Sequence, residues 1–304
     1  MHNPLPWPPE AAQYPDNSVR QFVAPGSNWV LDFHGDPARA GLALFSDGNH
    51  HMALEAAVRA FVDQNAGIDD VFYTTTPPAP LIDAVKGNGL ALGNLRISRK
   101  PDVFIGPDNI IQGLVDDGLL SRDTAFAESR GNVLLVRKGN PRCIQSIGDL
   151  LSDEVTVTCS NPVTEKASYS VYREAVANLA HDAGVDQECF LQKLSVAGPR
   201  TVHSQIIHHR EVPELIGGGY ADVAMIYYHL ALRYTRIFPD IFELIDIGGI
   251  LSDEPVAGNP TTRYHIGIVG NGGEWGERFF DFMQDGTAQS LYQYHGLQSA
   301  GSLQ

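Results

Sequence analysis

Cysteine, basic residues and long apolar runs are all scarce in this sequence of 304 residues. Cys143, Cys159 and Cys189 have no C-x-x-C spacing and predict neither a metal cluster nor a disulfide framework, although one bridge and one remaining thiol stay open. Lysine and arginine number 21 against 36 acidic residues, which gives a formal net charge of −15. That balance argues against a nucleic-acid partner and against an anionic membrane surface, because both require a basic face.

No apolar run is long enough to span a bilayer, so we expect no direct insertion into a membrane. The start, MHNPLPWPPEAAQYPDNSV, has prolines where the apolar core of a signal peptide would lie. Two interpretations follow from this. Either the protein is cytoplasmic, or it is exported and its signal was removed.

Motifs for catalysis and for cofactor binding are also missing. There is no P-loop, no G-x-S-x-G and no H-E-x-x-H, and GNGLALG (87–93) lacks the dinucleotide-binding spacing. The paired histidines at 50–51 and 208–209 are poor metal sites, since neighbours on a strand point to opposite faces. We therefore expect a protein that is not an enzyme and that holds neither a cofactor nor a metal.

What the sequence does contain is a regular alternation of strand and helix patterns. Apolar residues make up 43% and charged residues 19%, a balance typical of a globular protein. GLALFS (41–46), DVFYTTT (70–76) and PDVFIGP (101–107) have strand patterns, and each precedes a helical pattern. This alternation predicts the α/β class with parallel βαβ units.

The length allows two domains. We expect two Rossmann-like α/β lobes with a ligand cleft between them, closing by a hinge. Residues 1–40 would form an irregular N-terminal extension. Lobe 1 would be discontinuous, with residues 41–130 plus about 243–304, and lobe 2 would span 131–242. NVLLVRK (132–138) is the candidate strand that crosses between them.

Small polar residues follow the predicted strands, where ligands bind in open α/β sheets. They are Ser46, Asp47 and Asn49; Thr75 and Thr76; Asn109; Asn161; and His208, His209 and Arg210. Hydroxyls and free backbone N–H groups suit an oxyanion, which needs hydrogen-bond donors. Any one of these turns also fits ordinary helix capping. Their recurrence favours a site for a small anion.

The segment VHSQIIHHREVPELIGGGYADVAMIYYHLAL (202–232) is the most informative. It predicts a strand over Ser204–Ile207, a helix from about Val212, and a buried strand that ends at Tyr227 and Tyr228. We expect Arg210, with His208 or His209, to contact a bound anion beside the amino end of that helix. The alternative is that Glu211 neutralises Arg210 on the surface.

Two other functions remain open for the same segment. Tyr227 and Tyr228 resemble the twin tyrosines of ferric-ion-binding proteins, whose phenolates suit a hard cation. His208, His209 and Glu211 could instead serve a hydrolase.

The order of motifs over residues 41–298 resembles the periplasmic solute-binding proteins of the molybdate-binding type. KPDVFIGPDNIIQGLVDDG (100–118) resembles that family's ADVF strand and the helix after it. NVLLVRKGNP (132–141) resembles its crossing strand, and GGGYADVAMIYYHLA (217–231) resembles its G.AD.G.VY segment. The resemblance implies a type II periplasmic-binding-protein fold, a periplasmic or extracellular location, and a partner, the membrane permease of an ABC-type transporter.

Carried over by position, the resemblance implies ligand contacts from Ser46, from Thr75 or Thr76, and from Tyr227. The family's PAGRYA segment corresponds to NPVTEKASY (161–169), which brings Ser168 to a matching position. IIHHREVP (206–213) has no counterpart there. A histidine and an arginine at this place favour a small carboxylate or phosphorylated solute as readily as a molybdate-like oxyanion.

Overall fold

The computed structural model describes residues 32–87, 89–92, 95–205, 207–247, 250–252 and 258–301. Most of the extension predicted over residues 1–40 therefore lies outside the described residues. The chain divides into two compact units. The first unit contains residues 32–129 and 262–301, and the second unit is Arg130–Thr261.

The strands, in chain order, are β1 Phe33–His34, β2 Leu42–Ser46, β3 Val71–Thr74, β4 Leu90–Leu92, β5 Leu95–Ile97, β6 Val103–Pro107, β7 Leu120–Ser129, β8 Asn132–Arg137, β9 Val157–Cys159, β10 Thr201–His203, β11 Val223–Tyr227, β12 Phe242–Ile245, β13 Arg263–Val269 and β14 Leu297–Ser299. The α-helices are α1 His51–Gln64, α2 Pro78–Lys86, α3 Asp108–Asp116, α4 Lys166–Asp182, α5 Gln187–Ser195, α6 His208–Gly217, α7 Tyr228–Ile237, α8 Gly273–Phe282 and α9 Gly286–Tyr294. Short 3-10 helices span Ile147–Leu151 and Ile250–Ser252.

The first unit is built on a mixed sheet in the order β1-β3-β2-β6-β13-β7-β14. β2 pairs in parallel with β3 and β6, so the predicted parallel βαβ units are present, and β13 is antiparallel to both of its neighbours. Alternate residues of β2 enter different cores, with Leu42 and Leu44 in one and Ala43 and Phe45 in the other. Helices therefore cover both faces, and the carboxyl ends of β2, β3 and β6 share one edge.

The second unit has a sheet in the order β10-β9-β11-β8-β12. β9 is parallel to β10 and β11, whereas β8 is antiparallel to β11 and β12. The carboxyl ends of β9, β10 and β11 consequently lie at one edge. The first residue of β8, Asn132, is opposite Tyr227 at that edge.

Two boundaries differ from those expected. β12 pairs with β8 over four residue pairs, so residues 243–261 belong to the second unit and the division falls after Thr261 instead of near 243. At the other end, β1 pairs with β3, and the first unit begins before residue 41. Backbone pairing decides both points, because an isolated strand pattern does not specify the sheet that it joins.

The segment 202–232 also differs from the prediction. The strand predicted over Ser204–Ile207 is replaced by β10, which ends at His203, and α6 begins at His208 instead of near Val212. Pro213 therefore lies inside the helix, where it cannot donate the backbone hydrogen bond to the carbonyl four residues earlier. That carbonyl, His209 O, accepts the hydroxyl of Tyr234. This hydrogen bond from Tyr234 of α7 offsets part of the destabilisation that a proline inside a helix causes.

All three cysteines are free thiols, with Cys159 buried and the other two exposed, so no bridge forms. α5 occupies a stretch that has no clear helical pattern, and Asp186 caps it by accepting from the N–H groups of Glu188 and Cys189. In the described part of the chain, every helix is too short or too polar to cross a bilayer.

Candidate functional site

At the edge of the first unit, Ser46 ends β2 and is fully buried together with Asp47 and His50. The hydroxyl of Ser46 donates to Asp47 O at 3.1 Å and lies 3.3 Å from His50 Nε2. The same nitrogen is 3.0 Å from Asp47 Oδ1, an ion-pair distance without the alignment of a hydrogen bond. Half-buried Asn49 donates to Asp47 Oδ2 at 2.8 Å. The predicted residues Ser46, Asp47 and Asn49 thus lie in one polar cluster.

The threonines after β3 lie at the same edge and are buried. Thr75 donates through its hydroxyl to Asp32 Oδ1 at 3.2 Å, and Thr76 donates to Pro77 O at 2.9 Å. Thr74 accepts from the N–H of Ser46 at 3.1 Å, which ties β3 to β2. Asn109 follows β6 but is exposed in the first turn of α3.

In the second unit, one carboxylate that sequence reasoning missed joins three segments. Glu165 precedes α4 and is 5% exposed. Its Oε1 accepts from the backbone N–H of His208 at 2.6 Å and lies 2.8 Å from His208 Nδ1. Its Oε2 accepts from the hydroxyl of Ser204, which is itself 3.1 Å from the N–H of Asn161. Glu165 therefore connects the residues that follow β9 and β10 to the amino end of α6.

These contacts determine the ionisation of Glu165. Burial raises the pKa of the carboxyl, but the charge of His208 and the hydrogen bonds from His208 and Ser204 outweigh burial. The net effect is a pKa below the ordinary value. A carboxylate of the chain itself thus occupies the amino end of α6, which the sequence assigned to a ligand.

Next to Glu165 lies a group of buried rings. Tyr172 Oη is 3.1 Å from His208 Nε2, so both ring nitrogens of His208 have a protein group within hydrogen-bonding distance. The ring of Tyr172 meets Tyr227 edge-on at 5.1 Å, and Tyr227 stacks on His229, also at 5.1 Å. Burial raises the pKa of Tyr172 well above its ordinary value, so the phenol stays protonated. Tyr172 has no local motif that would have identified it from the sequence.

The remaining predicted residues of the second unit are also buried, apart from half-buried Asn161. They are Ser168, His209, Arg210, Tyr227 and Tyr228. Glu211 is 7% exposed and accepts from the backbone N–H groups of Gln205 at 2.5 Å and Ile207 at 2.6 Å. Arg210 is only 8% exposed, so neither it nor Glu211 lies on the surface, where the alternative interpretation placed the pair.

Residues 42–298 match the family model of the bacterial extracellular solute-binding proteins. The chain belongs to this family. The match confirms the family resemblance seen in the order of the motifs. No curated protein sequence matches the chain.

Several solved structures share the fold of this chain. The sulfate-binding protein SubI of Mycobacterium tuberculosis is 16% identical, with a TM-score of 0.61 over 87% of this solute-binding protein and 88% of that chain. The periplasmic molybdate-binding protein of Azotobacter vinelandii is 15% identical, with a TM-score of 0.58 over 84% and 98%. PEB3 of Campylobacter jejuni, in a structure with L-phospholactate bound, is 15% identical, with a TM-score of 0.59 over 84% and 99%. These structures confirm the predicted type II periplasmic-binding-protein fold.

Proposed function

We propose that this solute-binding protein captures a small anion for an ABC-type transporter. The ligand class is an oxyanion like molybdate or sulfate, or a small carboxylate or phosphorylated solute. Support comes from the similar structures, since proteins of the same fold bind sulfate, molybdate and L-phospholactate. Within each unit, buried hydroxyls lie at the carboxyl-end edge of the sheet, and hydroxyls are a kind of donor that such a ligand can use.

One hydroxyl carries the proposal. Ser160 follows β9 directly and is fully buried. Its Oγ has no hydrogen-bond partner among the described residues. A buried hydroxyl without a partner costs about 1–3 kcal/mol, so a ligand oxygen that accepts from it would recover that free energy. The other proposed contacts are Ser46, Asp47, Asn49, Thr75, Thr76, Asn109, Asn161, Ser168, His208, His209, Arg210, Tyr227 and Tyr228.

Neither alternative function gains comparable support. The hydrolase requires an available base, yet His208 is held by Glu165 and Tyr172 while Glu211 accepts from two backbone N–H groups. Ferric-ion binding requires the phenolates of Tyr227 and Tyr228 as ligands, but the ring of Tyr227 packs edge-on against Tyr172 and stacks on His229 inside the second unit. The binding of a small anion therefore fits the polar side chains at the carboxyl-end edge of each sheet best.

The family also supports the location and the partner. Extracellular solute-binding proteins work outside the cytoplasmic membrane, so we propose a periplasmic or extracellular location and a membrane permease as the partner.

Ser160→Ala should separate affinity from stability. We expect anion binding to weaken about tenfold, since a hydrogen bond to a charged group is worth about 1.5 kcal/mol at the lower end of its range. The ligand-free protein should be as stable as before or slightly more stable, because the hydroxyl that is removed has no hydrogen-bond partner in the part of the chain that the structure describes. Titration calorimetry with sulfate, molybdate and phosphate measures the first effect, and thermal unfolding without ligand measures the second.

Thr158→Val is the matched control. Thr158 is also fully buried, and its Oγ1 also lacks a partner among the described residues, but it lines a small internal cavity with Tyr172, Val176 and Met225. This variant should leave the affinity unchanged. Equal losses of affinity in both variants would show that Ser160 does not contact the ligand.

A further inference from the structure

Ser204 follows β10 in the second unit and holds the main chain on both sides of Ser160. Its backbone N–H donates to the carbonyl of Cys159 at 3.0 Å, and its hydroxyl accepts from the backbone N–H of Asn161 at 3.1 Å. Cys159 O and Asn161 N belong to the two peptide groups that flank the Cα of Ser160. Because each peptide group is planar, fixing both of them fixes φ and ψ of Ser160 and so the direction of its side chain.

The Ser204 hydroxyl is itself oriented by Glu165. Both residues are buried, and Glu165 Oε2 accepts from this hydroxyl. The pKa of Glu165 lies below its ordinary value, so the carboxylate is ionised at neutral pH and can only accept. An oxygen that donates to Glu165 keeps its lone pairs for the N–H of Asn161. Glu165 Oε2 also lies 3.5 Å from that nitrogen, at the limit of a hydrogen bond, so Ser204 is the nearer partner.

The hydroxyl of Ser160 differs from that of Ser204, because its proton is not given to another group of the protein. Ser160 is fully buried, and its Oγ has no hydrogen-bond partner in the described ranges of the chain. No hydrogen bond of its own therefore orients this side chain. Its position depends on the main chain that carries it, and Ser204 holds that main chain from both sides.

Two other hydrogen bonds join the same two segments without involving the peptide groups beside Ser160. Asn161 Nδ2 donates to Ser204 O at 3.0 Å, and the hydroxyl of Thr164 donates to Gln205 O at 2.6 Å. Thr164 is exposed. Its hydrogen bond stabilises the turn after β9 but does not touch the main chain of Ser160, so it can be removed as a control.

We propose that Ser204 is a positioning residue for anion binding, which sets the direction of the Ser160 hydroxyl. The inference rests on the proposed function, in which Ser160 donates to the anion. It also limits the size of the effect, since a misdirected hydroxyl can cost no more affinity than an absent one. A residue that only stabilised the turn would have no such limit, and its effect would not depend on the Ser160 hydroxyl.

A double-mutant cycle on folded protein tests this dependence, with sulfate, molybdate and inorganic phosphate as the probes. Ser204→Ala should weaken the binding of the tightest probe by roughly three- to tenfold, and by no more than Ser160→Ala does. In the Ser160→Ala background, Ser204→Ala should cause no further loss. An unchanged affinity in Ser204→Ala, additive losses, or a loss larger than that of Ser160→Ala would overturn the proposal.

Three further variants separate positioning from general stability. Thr164→Val removes the hydrogen bond to Gln205 and should leave the affinity unchanged. Ser204→Thr keeps the hydroxyl and should keep most of the affinity, although its added methyl group lowers the stability of a buried site. Ser204→Cys, whose thiol is only a weak hydrogen-bonding group, replaces Ser204→Ala if that variant fails to fold. Equal losses of affinity in Thr164→Val and Ser204→Ala would show that the turn as a whole, and not the direction of Ser160, controls binding.

Amide hydrogen exchange, measured without ligand, tests the contact itself. The amide proton of Asn161 should exchange with solvent faster in Ser204→Ala than in the unsubstituted protein or in Thr164→Val. The same exchange rate in all three proteins would contradict the hydrogen bond to Ser204. If the unsubstituted protein binds none of the three anions, the proposed function fails, whereas the exchange rates still decide whether Ser204 holds the main chain beside Ser160.

Discussion

Glu165→Gln is expected to lower the free energy of unfolding by about 3–5 kcal/mol at neutral pH, the range found when one partner of a buried ion pair is removed. Glu165 is 5% exposed, and its carboxylate meets the backbone and the ring of His208 as well as the hydroxyl of Ser204. The amide of glutamine replaces one acceptor oxygen by a donor and removes the charge opposite His208. Chemical denaturation at pH 7 measures the loss.

The same residue gives the stability a defined dependence on pH. The folded pKa of Glu165 lies below the ordinary value of about 4.3. Its contribution is therefore fully present above about pH 5 and is lost as the pH falls through the folded pKa. The difference in unfolding free energy between the unsubstituted protein and Glu165→Gln should therefore shrink as the pH falls below about 5.

Glu274→Gln is a suitable control, because Glu274 is an exposed glutamate in the first turn of α8. It should change the unfolding free energy by less than about 0.5 kcal/mol. If Glu165→Gln were no less stable than Glu274→Gln, the buried pair with His208 would not form in solution.

Strands that are buried on both faces could be predicted from the sequence, because each gives a short continuous apolar run. β2, β6, β8 and β11 are examples. β7 shows the opposite case. Its sequence, LSRDTAFAES, is exposed over Ser121–Asp123, so it has no apolar run and was not predicted. The sheet that β12 joins depends on pairing with β8, which no local pattern encodes.

The start of α6 could not be predicted for a related reason. The predicted start near Val212 would place Pro213 in the first turn, where proline is well tolerated. The helix extends back to His208 because the Tyr234 hydroxyl, from a separate helix, satisfies the carbonyl that Pro213 leaves without its donor. Tertiary contacts of this kind override local signals.

The residues proposed for the site differ in how visible they are from the sequence. Hydroxyls after strands can be read from the pattern, as with Ser46 and Thr75, and both are buried. The role of Glu165 is not visible, because its partners Ser204 and His208 are 39 and 43 residues away along the chain. That contact changes the interpretation of α6, since its first N–H group already binds a carboxylate.

Arg210 remains the residue from which we expect the largest effect on affinity. It lies in the first turn of α6, two residues after His208, and is 8% exposed. A guanidinium presents a planar fork of donors to a carboxylate or an oxyanion, and its charge persists at physiological pH. A charged hydrogen bond in a buried setting is worth about 1.5–3 kcal/mol, so Arg210→Ala should weaken anion binding by roughly ten- to a hundredfold.

Two variants sharpen this test, with the dissociation constants for sulfate, molybdate and phosphate measured by calorimetry on folded protein. Arg210→Lys should recover only part of the loss, because lysine keeps the charge but lacks the fork. Arg200→Ala removes the same charge from an exposed position just before β10, at the opposite edge of the same sheet, and should leave binding unchanged. If Arg210→Ala binds the anion as tightly as Arg200→Ala does, the guanidinium of Arg210 is not a ligand contact.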